Sequence, residues 1–166
     1  MKKIFNCLLI TLSLVITPLT ALAAEELNDA DALKDLKVGK VIWDIGTDNP
    51  AKLALYLKVI QKTHEGLVQQ KVTPEMVFAF HGGAVKLITT DREPIPLEQH
   101  GTLDEIAKQI ANLQKQSGVK MEVCGLATAL FNVKNSSILP GIKPVGNTFI
   151  SIIGYHAQGY VAIPVY

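Results

Sequence analysis

The chain has 166 residues, of which 48% are hydrophobic and 19% are charged, and its formal net charge is +1. A nearly neutral chain without a cluster of Lys or Arg argues against binding to nucleic acid or to an anionic membrane surface. Its length suits one ordinary domain that buries its own hydrophobic core.

The N-terminus has the three parts of a secretory signal peptide in order. Two lysines come first, an uncharged apolar run follows over residues 4–19, and Ala21-Leu22-Ala23 ends the pattern. The apolar run contains Pro18 and is shorter than the roughly 20 residues that a membrane-spanning helix needs. We therefore predict a signal peptide over residues 1–23, cleaved near Ala23, and a periplasmic or secreted protein without a membrane anchor after cleavage.

Cleavage would change both the charge and the cysteine content. Without residues 1–23 the chain keeps 14 basic and 15 acidic residues, which gives a net charge of −1. Cys7 leaves with the signal, so that Cys124 is the one cysteine of the mature chain and no internal disulfide can form. A single thiol in an oxidising compartment requires an explanation.

The mature chain begins with an acidic stretch over residues 24–39, which is poor in large apolar side chains and is expected to be mobile. Residues 40–166 are predicted to form a single domain. The short apolar run Val41–Ile45 predicts its first strand, of the kind that is covered on both faces.

Asn49 and Pro50 then predict a helix start, as N-cap and first helical residue. Apolar residues at three-to-four spacing continue this helix to about Gln70. A second strand is predicted over residues 76–80 and ends at His81-Gly82-Gly83. The next helix is predicted from a capping box formed by Thr102 and Glu105, and it ends before Gly118.

The remaining elements alternate in the same way. They are a strand over Val119–Cys124, a short helix over 126–131, a short strand over 142–145, a terminal helix over 149–157 and a last strand over 160–163. Pro144 in the short strand indicates an edge or strand-end position. Alternating strands and helices predict an α/β three-layer sandwich, with a mainly parallel five-stranded sheet and helices on both faces.

Cys124 is the strongest candidate for chemistry, because it ends a strand at the point where a helix begins. Ligands of parallel sheets gather at the carboxyl ends of the strands. The free N–H groups and the dipole of the following helix favour the thiolate, which is the reactive form of cysteine. Gly125 leaves the approach to the sulfur open. The alternative is that Cys124 packs as a small buried hydrophobe, and the pattern alone leaves both possibilities open.

Three segments resemble the DsrE/DsrF-like family, and the resemblance extends from Val41 to the end. The first, KMEVCGLATAL over residues 120–130, is similar to the active-cysteine segment of that family. The others are FHGGAVKL over residues 80–87 and QGY over residues 158–160. The resemblance implies a YchN-like fold, a trimer or hexamer of identical chains, and a sulfur-relay role in which Cys124 accepts sulfane sulfur as a persulfide.

The partners that the resemblance implies are a small inorganic sulfur species or a protein that donates or accepts a persulfide. The predicted export signal argues against a cytoplasmic role in tRNA thiolation. The protein would then be an exported sulfur carrier or sulfurtransferase. Two alternatives remain: a non-catalytic oligomeric binding module of the same fold, in which Cys124 is only packed, and a redox sensor whose thiol pairs between subunits.

His81 is a possible helper of Cys124, because it ends the strand expected to lie nearby and could stabilise a thiolate or carry a proton. It could equally be a strand-end histidine bonded to the backbone. Gly82-Gly83 is interpreted as a turn. His64, His100 and His156 are expected to be structural, and no metal site or cofactor is predicted.

Overall fold

The computed structural model describes residues 27–166, so the predicted signal peptide lies outside the described residues. Five strands form one sheet in the order β4-β3-β2-β1-β5, and every neighbouring pair is parallel. The strands are β1 (Val38–Ile45), β2 (Thr73–Phe80), β3 (Val119–Cys124), β4 (Lys143–Val145) and β5 (Val161–Val165). The sheet is thus entirely parallel, where the sequence predicts a mainly parallel one.

Helices cover both faces of this sheet. They are α1 (Pro50–Gln69), α2 (His100–Leu113), α3 (Gly125–Leu130) and α4 (Thr148–Ala157). The first two pack against each other and enclose the main core, which includes Trp43, Phe78 and Phe80. The opposite face carries a smaller cluster, in which Ile152 of α4 packs on Ile42 and its neighbours. The predicted α/β three-layer sandwich is confirmed.

The strand order explains how the helices divide between the two faces. From β1 to β4 the chain moves stepwise in one direction, and it then returns to the other side of β1. Because parallel crossovers are right-handed, helices of the forward steps lie on one face and α4, which makes the return step, lies on the other. The loops after β3 and β4 therefore leave the sheet towards opposite faces.

The start of α1 confirms its predicted cap. The Asn49 side chain accepts a hydrogen bond from the backbone N–H of Lys52 at 3.0 Å, and Pro50 is the first helical residue. The predicted capping box of α2 is wrong. That helix begins at His100, directly after a 3-10 turn over Leu97–Gln99, and Glu105 instead contacts Lys58 at 2.6 Å.

The segment before β1 is held against α1. The backbone N–H of Asp29 donates to the Gln70 side chain at 2.9 Å, and the Gln70 amide donates back to the Asp29 carboxylate at 3.2 Å. The first strand begins at Val38, inside the stretch that the sequence assigns to a mobile lead-in. The mobility of this lead-in stays a prediction.

The terminal helix differs from its predicted packing. Phe149, Ile150 and Ile153, which the sequence places on one packed face with Ile152, are 56%, 68% and 69% exposed. The apolar side chains of α4 are therefore distributed around the helix, and these three lie outside the stripe that packs on the sheet. Within residues 27–166, none of the helices combines the length and the hydropathy that crossing a bilayer requires.

Candidate functional site

The candidate site lies at the carboxyl edge of the sheet, between the ends of β2, β3 and β4. A cavity of about 240 Å³ is lined there by His81 after β2, Cys124 at the end of β3 and Asn147 after β4. Apolar side chains complete its wall: Leu126, Ala127, Leu130, Phe131 and Phe149. Because the loops after β3 and β4 leave towards opposite faces, this is the crevice in which parallel sheets generally bind ligands.

Cys124 is the last residue of β3 and also the N-cap of α3. The turn between the two elements depends on Gly125, since a Cβ at this position would lie only 2.9 Å from the carbonyl oxygen of Val145. From the sequence, this glycine is expected to keep the approach to the sulfur open. In the structure its main role is the close approach of α3 to β4.

Four donors surround the Cys124 sulfur. Burial by itself would raise the pKa of the Cys124 thiol, but hydrogen bonding from the backbone N–H of Thr148 and of Ala127, from the Thr148 hydroxyl and from the Leu126 N–H outweighs it, so that the pKa is lowered. The donors belong to the first turns of α3 and α4, two helix starts that converge on one atom.

The Thr148 hydroxyl is an unusual member of this set. Thr148 is completely buried, and its Oγ1 has no hydrogen-bond partner of full geometry in the described part of the chain. The N–H groups of α3 also approach the sulfur without a cap hydrogen bond of full geometry. Thiolates attract donors more strongly than thiols do, so this arrangement is suited to the ionised form of Cys124.

Cys124 itself is largely buried, with 5% of its surface exposed, and it contacts the main core. It nevertheless lines the cavity, so a small reactant can reach the thiol from that side. The cysteine is therefore packed against the core on most sides, and a reactant can approach its sulfur only from the cavity.

The structure brings His81 and Cys124 to the same cavity. The Nε2 atom of His81 lies 2.6 Å from a carboxylate oxygen of Asp44, and its ring contacts that of Phe149 at a centroid distance of 5.2 Å. Gly82 has a φ of 51°, in the left-handed region, which agrees with the predicted turn.

Asp44, Thr148 and Tyr166 are site residues that the sequence analysis does not identify. The Tyr166 hydroxyl donates to the second oxygen of Asp44 at 2.5 Å. Thr148 had a local signal, because Asn147 before it is an N-cap whose side chain accepts from the Phe149 N–H at 2.9 Å. Tyr166 had none, since nothing local indicates that β5 lies beside β1.

The other three histidines hydrogen-bond to backbone carbonyls. His64 pairs with Ser117 at 3.0 Å, His100 with Ile95 at 3.0 Å and His156 with Tyr160 at 3.3 Å. Among residues 27–166, no three His, Cys, Asp or Glu side chains are arranged to hold a metal ion.

Larger cavities lie elsewhere on the molecule, with volumes of about 380, 350 and 580 Å³. The first of them is lined by Lys86 and Lys134 together with Asp91 and Glu93, and shares Phe131 with the cavity at Cys124. Neither it nor the other two contain a nucleophilic thiol in the described chain. Reactivity thus favours the smaller cavity.

Comparison with known proteins gives one family and one fold. Residues 40–164 match the model of the DsrE/DsrF-like family. An uncharacterised protein of Aquifex aeolicus (strain VF5) is 24% identical over 164 residues, which are 99% of this chain and 64% of that protein. The chain therefore spans less than two thirds of the length of that relative.

Two solved structures share the fold. MTH1491 from Methanobacterium thermoautotrophicum, a protein of unknown function, has a TM-score of 0.54 and 16% identity over 78% of this chain and 99% of its own. The ychN protein from E. coli has a TM-score of 0.54 and 14% identity over 78% of this chain and 98% of its own. At such identities the likeness concerns the fold alone.

Proposed function

Because the chain belongs to the DsrE/DsrF-like family, we propose that it is an exported sulfur carrier, in which Cys124 accepts sulfane sulfur as a persulfide and passes it to an acceptor. Membership of this family suggests a function related to sulfur relay. Our proposal goes further in three respects: the sulfur is carried on Cys124, it is carried as a persulfide, and the protein is exported.

The observation that carries the proposal is the environment of the Cys124 sulfur. Donors from Leu126, Ala127 and Thr148 lower the pKa of its thiol, although burial opposes them. A thiolate is the nucleophile in thiol and persulfide exchange. A cysteine that served packing alone would not need converging helix starts or an opening to a cavity.

The transfer step needs no outside oxidant or reductant. The Cys124 thiolate attacks the outer sulfur of a donor R–S–SH, a new S–S bond forms on Cys124, and the S–S bond of the donor breaks. The products are the Cys124 persulfide and R–S⁻, which takes up a proton. The reverse step on an acceptor thiolate returns Cys124 to its starting state.

The proposed donors and acceptors are small inorganic sulfur species or a protein that carries a persulfide. The apolar side chains around the thiol support this choice, since Leu126, Leu130 and Phe149 suit a polarisable sulfur chain. The volume of about 240 Å³ admits a small molecule or a single projecting side chain.

Export is proposed from residues 1–23 alone. The measurement that checks it is the N-terminal sequence of the protein recovered from the periplasm or the medium, which should begin near Ala24. Recovery of the full-length chain in the cytoplasm alone would contradict export and leave the chemistry of Cys124 untouched.

The sulfur chemistry is tested by mass spectrometry after incubation with polysulfide or thiosulfate. We expect the mass of one sulfur atom to be added on the peptide that contains Cys124, and to leave again on addition of an excess of acceptor thiol. Cys124→Ser should take up none. An unmodified Cys124 under conditions that load a known persulfide carrier would contradict the proposal and favour the non-catalytic binding module.

A second experiment distinguishes the sulfur carrier from the redox sensor. A sensor would form a disulfide between the Cys124 residues of two subunits, which non-reducing electrophoresis detects as a covalent dimer. The burial of Cys124 within its own chain argues against this outcome, because two such sulfurs cannot approach each other without rearrangement.

A further inference from the structure

Three polar side chains form a hydrogen-bonded chain that ends at the Cys124 cavity. The Tyr166 hydroxyl donates to Asp44 at 2.5 Å, and the other oxygen of Asp44 lies 2.6 Å from Nε2 of His81. The side chains of Asp44 and His81 are only 15% and 13% exposed. The bond between Asp44 and His81 is thus sheltered from water, which strengthens it, whereas Tyr166 is 60% exposed.

The sheet topology builds this chain from three adjacent strands. Asp44 is the last residue but one of β1, which lies between β2 and β5. His81 follows β2 directly, and Tyr166 follows β5 directly. One carboxylate on the middle strand thus reaches the ends of both neighbours.

The His81 ring is also confined by its packing. Its backbone N–H donates to the Ile45 carbonyl at 2.9 Å. A Cβ at Gly46 would lie 2.8 Å from Cε1 of the ring, so that only a glycine fits there, and Phe149 contacts the ring from α4. A ring held in this way, with Nε2 bonded to Asp44, leaves Nδ1 as the nitrogen for exchange of a proton.

We propose that Asp44 and Tyr166 are positioning residues, which hold His81 as the proton shuttle of Cys124. This inference rests on the proposed sulfur-carrier function. Asp44 accepts from the Nε2–H of His81 and so fixes the tautomer in which Nδ1 carries the lone pair. Tyr166 fixes the orientation of the Asp44 carboxylate.

The protons balance across the sulfur transfer. Nδ1 of His81 accepts the proton of the Cys124 thiol, which leaves a thiolate and an imidazolium. The thiolate attacks R–S–SH as described above, and the imidazolium returns its proton to the departing R–S⁻. Asp44 stays a carboxylate and Tyr166 a phenol throughout, and the donor leaves as R–SH.

The groups that face His81 are consistent with this role. Asp44 approaches it from β1, Tyr166 from the end of β5, Cys124 lines the same cavity from β3, and α4 contributes only the apolar ring of Phe149. The hydrogen bond to Asp44 raises the pKa of Tyr166, with burial as the next cause, so the phenol remains a donor at neutral pH.

The test compares rates of sulfur uptake from a polysulfide donor between the wild type and Asp44→Asn. The variant keeps the shape of the side chain but removes the charge that selects the tautomer. We expect uptake to slow by about tenfold or more, as general acid–base catalysis commonly contributes about 100-fold or more. The pH profile of uptake should change as well, which a merely structural role of Asp44 would not produce, and the nitrogen NMR shifts of His81 should report the accompanying change of tautomer.

Another tyrosine–carboxylate pair elsewhere in the protein supplies matched controls. Tyr160 donates to Glu75 at 3.0 Å, at the opposite edge of the sheet from Cys124. Tyr160→Phe and Glu75→Gln should therefore keep the wild-type uptake rate and His81 spectrum. Tyr166→Phe, which removes one hydroxyl, should slow uptake less than Asp44→Asn does.

The outcomes distinguish this inference from the proposed function. Absence of sulfur uptake by the wild type would overturn the carrier function and this inference with it. Uptake by the wild type, together with unchanged rates and unchanged His81 shifts in Asp44→Asn, would overturn the inference alone. If Asp44→Asn does not fold, Tyr166→Phe decides, and an unaltered rate and spectrum in that variant would overturn the inference.

Discussion

Thr148 places one buried hydroxyl beside the sulfur of Cys124 without a fully formed hydrogen bond. Leaving a buried hydroxyl unpaired costs on the order of 1–3 kcal/mol. Ionisation of Cys124 provides a strong acceptor and recovers part of that cost. The folded chain thereby favours the thiolate, because the same group that is poorly satisfied beside a thiol is well satisfied beside a thiolate.

Replacement of Thr148 by valine is predicted to raise the pKa of Cys124. The shape of the side chain is kept and one donor to the sulfur is lost, so the midpoint of Cys124 ionisation should move to higher pH. The measurement is the pH dependence of the alkylation rate of Cys124. Thr128→Val is the matched control, since Thr128 is also buried but donates to Asn135 and to the Gly125 carbonyl. Equal pKa values in the wild type and Thr148→Val would contradict the role of this hydroxyl.

At the scale of the elements, the junction of β3 and α3 depends on the spacing between α3 and β4. Gly125 approaches the Val145 carbonyl so closely that any side chain would push the two elements apart. The N–H groups of Leu126 and Ala127, which face the sulfur, lie on the element that would move. Packing of a short helix thus determines the electrostatics of the cysteine.

Gly125→Ala is predicted to lower both the stability and the sulfur uptake. Overpacking against backbone typically costs about 1–3 kcal/mol, which thermal or denaturant unfolding would measure. Gly154→Ala serves as the control, because Gly154 lies inside α4 with nothing within 4 Å of its added Cβ. That variant should be as stable as the wild type or gain up to about 1 kcal/mol. A Gly125→Ala protein with wild-type stability would show that the junction can relax.

For the whole molecule, the most prominent unexplained feature is an apolar surface on one side. It consists of three exposed side chains of α4, namely Phe149, Ile150 and Ile153. Soluble monomers rarely leave a large contiguous apolar surface uncovered. We propose that this α4 surface is covered by further copies of the chain, in line with the oligomer that the family resemblance implies.

Ile153→Asp is predicted to dissociate that oligomer, because it would bury a charge without a partner. Light scattering coupled to size-exclusion chromatography measures the mass. Leu97→Asp is the control: Leu97 is also exposed, at 79% against 69% for Ile153, but lies in the 3-10 turn before α2, away from the α4 surface. A wild-type protein that is monomeric at micromolar concentration would contradict the proposal.

The sequence was sufficient for the features that depend on local physics. Asn49 and Pro50 fix the start of α1, and alternation of strands and helices predicts a layered parallel sheet. The capping box at Thr102 failed because the residues before it already form a helical turn, and that turn leads directly into α2. Local capping rules do not predict where a helix begins when a preceding helical turn runs directly into it.

Contacts between distant strands could not be predicted. The return of the chain from β4 to the far side of β1 places Tyr166 beside Asp44, 122 positions apart in sequence. The same return brings α4, with Thr148, to the end of β3. Cys124 and His81 were identifiable because one ends a strand, the other follows one directly, and a glycine comes next in both cases. The groups that support them depend on the order of the strands.

The proposed chemistry depends on a fold that stabilises Cys124 as a thiolate at the mouth of a cavity. The most direct test is to measure the alkylation rate of the wild-type protein across a range of pH and to locate the reaction on Cys124 by mass spectrometry. We expect the thiol to react in the native protein, with a midpoint below the value of about 8.5 that is typical of an unperturbed cysteine. A midpoint at or above that value, or a thiol that reacts only after unfolding, would contradict it.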